Sequence, residues 1–326
     1  MFVLGVQGSP RKNGNSDFLL NYFLKECETY GAQTQIIRPE KHDIQPCREL
    51  LVCEKKGFCP IKDEMEKKGY SLVRKADVVV LASPVFFYNV TAQAKVFIDR
   101  CQMFWGRKYK LKLLDPDSYY RQGFLLSVGA SGGKRLFEGV ELTSKYFFDA
   151  ISADYAGSLT YKKVEDSGDI ISRPELLSEI QDAVRHLLAP WSEKKRLLFV
   201  SEKDACRSQM AAAFVKASVK GRINVITAGY DAAEKIDPNM VKVMAEKNLD
   251  LKYCSPRHLD DFLSAKGQGK DQDLVINIGP EKAGIDLPGE SIRIWDISQS
   301  RGNSLDNLRK LRDEIETRVN KIIPFL

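Results

Sequence analysis

Three stretches of this 326-residue chain combine residue types that bind anions or carry electrons. The first is Gly8-Ser9-Pro10-Arg11-Lys12-Asn13-Gly14-Asn15-Ser16, which follows the apolar run Phe2 to Val6. The second is Ser201-Glu202-Lys203-Asp204-Ala205-Cys206-Arg207-Ser208, which follows Leu197 to Val200. A strand running through a loop into a helix gathers backbone N–H groups and a helix N-terminus around one point, an arrangement that holds phosphate or another oxyanion. Glycines let the backbone approach the anion closely, and hydroxyl, amide and guanidinium groups donate to its oxygens. The first loop matches neither the G-x-x-x-x-G-K-[ST] pattern nor G-x-G-x-x-G, and a tight turn into a helix is the plain alternative. The third stretch holds Cys47, Cys53 and Cys59.

The elements that must position these loops are legible as alternating apolar and amphipathic runs. Buried strands are expected at Phe2–Val6, Thr34–Ile37, Val78–Ala82 and Phe124–Val128, with a helix over Asp17–Tyr30 whose Phe18, Leu19, Tyr22 and Phe23 share a face. The series restarts with strands expected at Leu197–Val200, Asn224–Thr227, Leu274–Ile278 and Ser291–Trp295 and helices over Ser208–Val219, Pro238–Lys247 and Leu305–Ile323. Strands alternating with helices predict a parallel sheet covered on both faces. The chain therefore reads as α/β, with two doubly wound parallel-sheet domains, 1–190 and 195–326, joined by Pro190-Trp191-Ser192-Glu193-Lys194-Lys195.

Composition narrows the function. Hydrophobic residues make up 43% and charged residues 29%, ordinary values for a globular chain. The net charge of +6 is spread without a dense basic run, which argues against nucleic acid. No apolar stretch is long enough to span a membrane, and seven cysteines in a chain of this length do not form a disulfide scaffold. A cytoplasmic protein with reduced thiols is expected. His42, His186 and His258 fall in no metal-ligand spacing.

Two further segments support the first loop. Ala82-Ser83-Pro84-Val85-Phe86-Phe87-Tyr88-Asn89-Val90 sits where the third strand should end, at the carboxyl edge where open α/β sheets bind ligands. Proline followed by aromatics makes a stiff wall for a planar ring; aromatics packed into the core are the alternative. Ser127-Val128-Gly129-Ala130-Ser131-Gly132-Gly133 follows the next strand and leaves room for a ring edge. Together these residues resemble the NAD(P)H-dependent FMN reductases of the flavodoxin-like superfamily. The resemblance implies that Ser9, Arg11, Asn13, Asn15 and Ser16 hold the FMN phosphate, and that Pro84, Val85, Phe86, Phe87 and Asn89 hold the isoalloxazine with Ala130, Ser131, Gly132 and Gly133. It implies NAD(P)H as donor, a small-molecule electron acceptor and a homo-oligomer. The flavin carries the chemistry, so no side chain of this half is expected to be catalytic. The cysteine segment resembles that of iron–sulfur flavoproteins, in which four cysteines hold a cubane cluster. Here Leu50 occupies the second position, leaving Cys47, Cys53 and Cys59 as candidate metal ligands or as relics.

The second loop resembles the C-x5-R-S signature of low-molecular-weight tyrosine phosphatases and thioredoxin-coupled arsenate reductases. Arg207 and Ser208 stand where the family has them, Cys206 matches the position before the arginine, and Ser201 occupies the nucleophile position. Thr227-Ala228-Gly229, Ser255-Pro256-Arg257-His258-Leu259 and Trp295-Asp296 extend the match. The general acid of the family falls on Gln299, which cannot deliver a proton. A serine lacks the thiolate's reactivity, and no base for Ser201 is evident in the sequence. The expectation is an oxidoreductase fused to a catalytically inactive phosphatase-like domain that binds an oxyanion through Ser201, Cys206, Arg207 and Ser208. The alternatives are a redox-linked oxyanion sensor, or an active phosphatase or arsenate reductase.

Overall fold

The computed structural model describes residues 1–192, 194–264, 273–279, 287, 289, 291–297 and 304–326. They form two compact units, Met1–Lys112 with Tyr120–Pro190, and Leu113–Tyr119 with Trp191–Leu326.

In the first unit the order is β1 (Phe2–Gln7), α1 (Asn15–Thr29), β2 (Gln33–Ile37), α2 (Val52–Lys56), α3 (Tyr70–Lys75), β3 (Val78–Pro84), α4 (Ala92–Arg100), α5 (Gln102–Trp105), β4 (Gln122–Gly129), α6 (Glu138–Ala150), β5 (Asp154–Lys162) and α7 (Leu176–Ser192). The strands form one parallel sheet in the order β2-β1-β3-β4-β5. Every residue of β1 is buried, because helices cover both faces and an apolar run can be continuous only in such a strand. The strand order reverses at β1, so the carboxyl ends of β1 and β3 flank the crevice where such sheets bind ligands.

The second unit contains β6 (Arg196–Ser201), α8 (Arg207–Val219), β7 (Asn224–Gly229), α9 (Pro238–Ala245), α10 (Leu259–Ser264), β8 (Leu274–Ile278), β9 (Ile292–Trp295) and α11 (Leu305–Ile322). Its sheet is parallel, ordered β7-β6-β8-β9. Alternate residues of β6 serve different cores. Leu197 and Phe199 join Met210, Met240 and Ile315, whereas Leu198 and Val200 join Leu259 and Phe262. That division is the period of two expected for a strand covered on both faces.

Three elements differ from the sequence reading. β5 was not anticipated: it lies at the sheet edge, is only partly buried, and lacks a continuous apolar run. The proposed linker begins inside a helix, since α7 runs through Pro190 to Ser192; a proline in the last turn removes a single ladder bond. Leu113–Tyr119 belongs with the second unit rather than the first. There Leu114 accepts from Asp250 N (2.8 Å) and donates to Asn248 O (2.7 Å), and Lys216 pairs with Asp117 at 2.6 Å. Seven residues without a periodic pattern gave no signal for this strap.

Candidate functional site

The loop after β1 is held open by its neighbours. Gly8 N–H donates to Ala82 O, and a Cβ at Gly8 would lie 2.8 Å from the Ala94 Cβ and 3.0 Å from Ala82 O. Only glycine lets the loop lie against β3 and α4. Thr91 caps α4 by accepting from Ala94 N, and its hydroxyl donates to Gly8 O. This threonine knits the loops after β1 and β3 together and was missed in the sequence; a Thr immediately before an amphipathic helix was its only signal.

Within the loop the amide hydrogens divide. Ser9 N–H goes to Gln7 Oε1, Arg11 N–H to Ser9 Oγ and Asn13 N–H to Asp17 Oδ2. The N–H groups of Lys12, Gly14, Asn15 and Ser16 have no acceptor among the described residues. The last two open α1, where no intrahelical acceptor exists. Arg11 is exposed and, among the described residues, has no carboxylate partner. Unspent donors, a helix N-terminus and a free guanidinium are the groups that could hold an anion here. Asp17 lies beneath it. Burial pushes its carboxyl up, but hydrogen bonds from Arg38 and Gln7 and the Arg38 charge at 2.8 Å outweigh that and hold it below the usual range.

The structure reassigns one residue of the expected phosphate set. The Asn15 side chain donates to Asp166 O (2.7 Å) and accepts from Gly168 N (3.0 Å) and Ile170 N (3.3 Å). Its amide is spent on pinning the loop after β5, which leaves its backbone N–H as the group free to meet an anion. Ser167 Oγ donates to Asn13 O. The loop at 163–170 is thus a wall of the crevice that the sequence reading missed with β5. Ser9 and Ser16 are buried at the loop's floor, and Asn13, at φ +54°, stands exposed at its rim.

After β3 the chain makes a tight hairpin. Phe86 and Asn89 exchange both main-chain hydrogen bonds, and Phe87 and Tyr88 between them have φ of +48° and +60°. Left-handed backbone at bulky residues is strained and is retained where the surroundings impose it. Here Asn89 Oδ1 accepts from Val90 N and Thr143 Oγ1, and a Cβ at Gly139 would lie 2.1 Å from Tyr88 O. The turn thrusts Phe87 wholly into solvent, with Phe86 and Tyr88 half exposed. Pro84 and Val85 are half-buried, and Val85 N–H is bonded to Val128 O. Ala130, Ser131 and Gly132 are exposed on the facing loop, with Gly133 beside the Tyr88 hydroxyl. Phosphate-type donors, an aromatic wall and a small-residue loop therefore converge at one sheet edge, and the residues fit a flavin mononucleotide.

The cysteine segment departs from that clean fit. Cys47 is exposed, and Cys53 and Cys59 are partly buried. The Cys53 thiol is pushed up by burial and by the nearby Cys59 and Cys47 thiols. Glu49 and Leu51 have φ of +51° and +55°, and Leu50 is 52% exposed. Asp63 and Arg100, both fully buried, tie the segment to α4, and Arg100 also donates to Gln45 O. The donor set is one short of the four thiolates that hold a cubane cluster, and among the described residues no three His, Cys, Asp or Glu are gathered as a metal site. A four-thiolate cluster does not fit.

In the second unit, β6 delivers Ser201 to the start of the loop and α8 delivers Arg207 and Ser208. The carbonyls of Ser201, Glu202, Lys203 and Ala205 accept from the N–H groups of Tyr230, Asp231, Ala233 and Asp237. The amides of Lys203, Asp204, Ala205 and Cys206 have no acceptor among the described residues. Arg207 is 8% exposed; it donates to Ile297 O at 3.1 Å and forms no ion pair among the described residues. A Cβ at Gly279 would lie 3.0 Å from its guanidinium, so Gly279 and Ile297 place it. Desolvation lowers the Arg207 pKa.

The base of this loop holds a residue the sequence reading passed over. Asp204, at φ +48°, is completely buried. Its Oδ1 accepts from Ser208 Oγ (2.6 Å), and its Oδ2 accepts from Thr227 Oγ1 (3.0 Å) and Arg257 N (2.9 Å). Ser201 Oγ is 2.8 Å from Ser208 Oγ. A carboxylate does therefore reach Ser201, through Ser208, contrary to the expectation of none. Burial pushes Asp204 up to about 6 against the opposing hydrogen bonds. The Cys206 thiol is pushed up to about 12 by burial and by Asp237, which disfavours the thiolate form. Gln299 lies outside the described residues. Asp296 is exposed, and its carbonyl accepts from Arg318.

Residues 1–149 match the family model described as NADPH-dependent FMN reductase, and 196–286 match that of the low molecular weight phosphotyrosine protein phosphatase. An iron-sulfur flavoprotein of Archaeoglobus fulgidus is 40% identical over 112 residues, which cover 34% of this chain and 50% of that protein. One of Methanosarcina thermophila is 30% identical over 131 residues, 40% of this chain and 64% of that protein. The match thus spans about half to two thirds of these relatives' length. A glutaredoxin arsenate reductase of Synechocystis sp. is 28% identical over 134 residues, 40% of this chain and 96% of that protein. The crystal structure of an arsenate reductase from Archaeoglobus fulgidus is 29% identical, with a TM-score of 0.34, covering 39% of this chain and 98% of that one. The chain joins an FMN reductase-like domain to a phosphatase/arsenate reductase-like domain. No helix among the described residues is long and apolar enough to cross a membrane.

Proposed function

We propose that the first unit binds FMN and passes electrons from NAD(P)H to a small-molecule acceptor, while the second unit binds a tetrahedral oxyanion without turning it over. The observation that carries the flavin reading is the set of unspent N–H groups at Lys12, Gly14, Asn15 and Ser16, beside Arg11, at the edge that also bears the Phe86–Asn89 hairpin. When bound, FMN supplies hydride and electron transfer at its ring. The chain's own part is binding and orientation. The loop amides and Arg11 hold the phosphate, Asn15 fixes the 166–170 wall, and Phe86 and Phe87 flank the ring. Phe87 and Tyr88 stand exposed in the turn, as do Leu142 and Tyr146 on α6. A second copy of the chain covering this apolar face completes the proposal.

In the second unit, outward-turned carbonyls and buried Arg207 support oxyanion binding. Ser201, in place of a thiolate, and the protonated Cys206 support a site that binds rather than cleaves. The test is flavin content of the purified protein with FMN titration and NADPH and NADH oxidation. One FMN per chain is expected, with Arg11→Ala weakening binding about tenfold, the worth of one charge-assisted hydrogen bond. Protein that neither carries nor takes up FMN sinks the reading.

A further inference from the structure

We propose that the loop Ser201–Ser208 takes up a tetrahedral oxyanion together with one proton: the proton goes to Asp204, and the hydroxyls of Ser208 and Ser201 reverse so that Ser201 donates to the anion. This rests on the oxyanion reading above and adds its proton stoichiometry.

Counting hydrogens forces the coupling. A serine hydroxyl has one proton to give and lone pairs to accept with. While Asp204 is ionised, Ser208 gives its proton to Asp204 Oδ1 at 2.6 Å. Ser208 must then accept in its 2.8 Å contact with Ser201, so the Ser201 proton turns inward to the base of the loop. An arriving oxyanion meets a Ser201 lone pair with a buried carboxylate behind it. Once protonated, Asp204 donates from Oδ1 to Ser208, Ser208 donates to Ser201, and the Ser201 proton is released toward the anion. Oδ2 goes on accepting from Thr227 and the Arg257 amide in both states. Charge and hydrogen-bond direction thus favour the anion on the protonated form. The balance is one proton from solvent per anion bound, with no covalent step.

The proton is available near neutrality, because complete burial raises Asp204 to about 6. Among the described residues the other charged groups around the loop are few. Arg207 follows on α8; Glu202 and Lys203 lie in the loop, Lys203 paired with Asp231. Asp237 raises the Cys206 thiol from before α9. Arg257 precedes α10, and His258, 3.7 Å from Asp260, pairs with Gly229 through the main chain. His258 is the titratable rival, and it separates from Asp204 by mutation.

Asp204→Asn gives a distinct expectation. The amide oxygen can serve Thr227 and the Arg257 N–H while the amide nitrogen donates to Ser208, which reproduces the protonated arrangement. The assay is calorimetric titration of the full chain with inorganic sulfate, whose charge is constant from pH 5 to 9, with phosphate as a second probe. Wild-type affinity for sulfate should fall about 100-fold between the plateau below pH 6 and pH 8, the linkage expected of a proton lost two units above its pKa. At pH 7.5, titrations in buffers of different ionisation enthalpy should report close to one proton taken up. Asp204→Asn should bind at pH 8 as wild type does at pH 5, with no proton uptake. PH-independent binding by the wild type, or no proton uptake at pH 7.5, overturns the inference and leaves the oxyanion reading intact. A pH dependence that survives in Asp204→Asn overturns it in favour of His258. Failure of wild type and variant to bind either anion at any pH overturns both readings. The wild-type proton count needs no variant to fold.

Discussion

Arg100→Met should loosen the first unit, and the structure says by how much. Arg100 and Asp63 have fully buried side chains. The guanidinium contacts both Asp63 oxygens, Gln45 O at 2.8 Å and the Tyr70 hydroxyl at 3.3 Å. Methionine fills the volume but removes the cation, leaving the Asp63 carboxylate with N–H groups of Gln45 (2.9 Å), Met65 (3.0 Å) and Glu66 (3.4 Å). An uncompensated buried charge costs about 3–5 kcal/mol, and the surviving amides place this case near the lower end. Burial pushes Asp63 up, but Arg100 and the amides outweigh it and hold the carboxyl below its usual value. A depressed carboxyl contributes stability that is present above the unfolded pKa and lost as pH falls through the folded one. The variant loses that contribution, so the gap to wild type should be widest at pH 7 and shrink below pH 4. Because the chain has two units, the readout is hydrogen exchange of β3 and α4 peptides rather than one global melt. Ellman's reagent should also label Cys59 faster as residues 45–66 detach from α4. A loss below about 1 kcal/mol at pH 7, or a gap that widens in acid, would refute the reasoning.

Two further outcomes are expected. Anaerobic reconstitution of Leu50→Cys with iron and sulfide should yield acid-labile sulfide in stoichiometric amount, whereas wild type should not; equal sulfide in both would show that three thiolates suffice. Asp204→Asn should change in stability relative to wild type with pH. A carboxyl raised to about 6 contributes stability fully present below its unfolded pKa and lost as pH rises through 6. The variant should therefore gain about 2 kcal/mol on wild type between pH 4 and pH 7, read by hydrogen exchange of α8. A flat difference would mean that Asp204 is already ionised at pH 4.

The central strands of both sheets were legible because burial on two faces demands unbroken apolar runs, as in Val78–Leu81 and Leu197–Val200. The edge strand β5 was not, since an edge needs no such run. Loop chemistry was half legible. Residue types at 8–16 and 201–208 pointed to anion-binding loops, but hydrogen-bond direction is set by partners far along the chain. Asn15 looked like a phosphate donor until the 166–170 loop claimed its amide. Asp204 looked like one more polar loop residue until Ser208, Thr227 and Arg257 gathered on it.

The two loops answer one electrostatic problem differently. Each places a carboxylate under the proposed anion site. Beneath the first loop Asp17 stays ionised because Arg38 lies 2.8 Å away and Gln7 and Asn13 donate to it. Its charge is neutralised locally, and the loop above is free to hold phosphate at any physiological pH. Beneath the second loop Asp204 has hydroxyls, one main-chain amide and the Gln209 side chain, but among the described residues no cation bonded to it. Hydrogen bonds to neutral groups offset only part of the desolvation cost of a buried charge, so a proton must do what Arg38 does in the first unit. A permanent cation makes a permanent site for a resident cofactor, and a proton makes a site whose occupancy follows pH. On the proposed reading the second unit binds its anion reversibly, in keeping with a loop that has a serine where the attacking thiolate would stand.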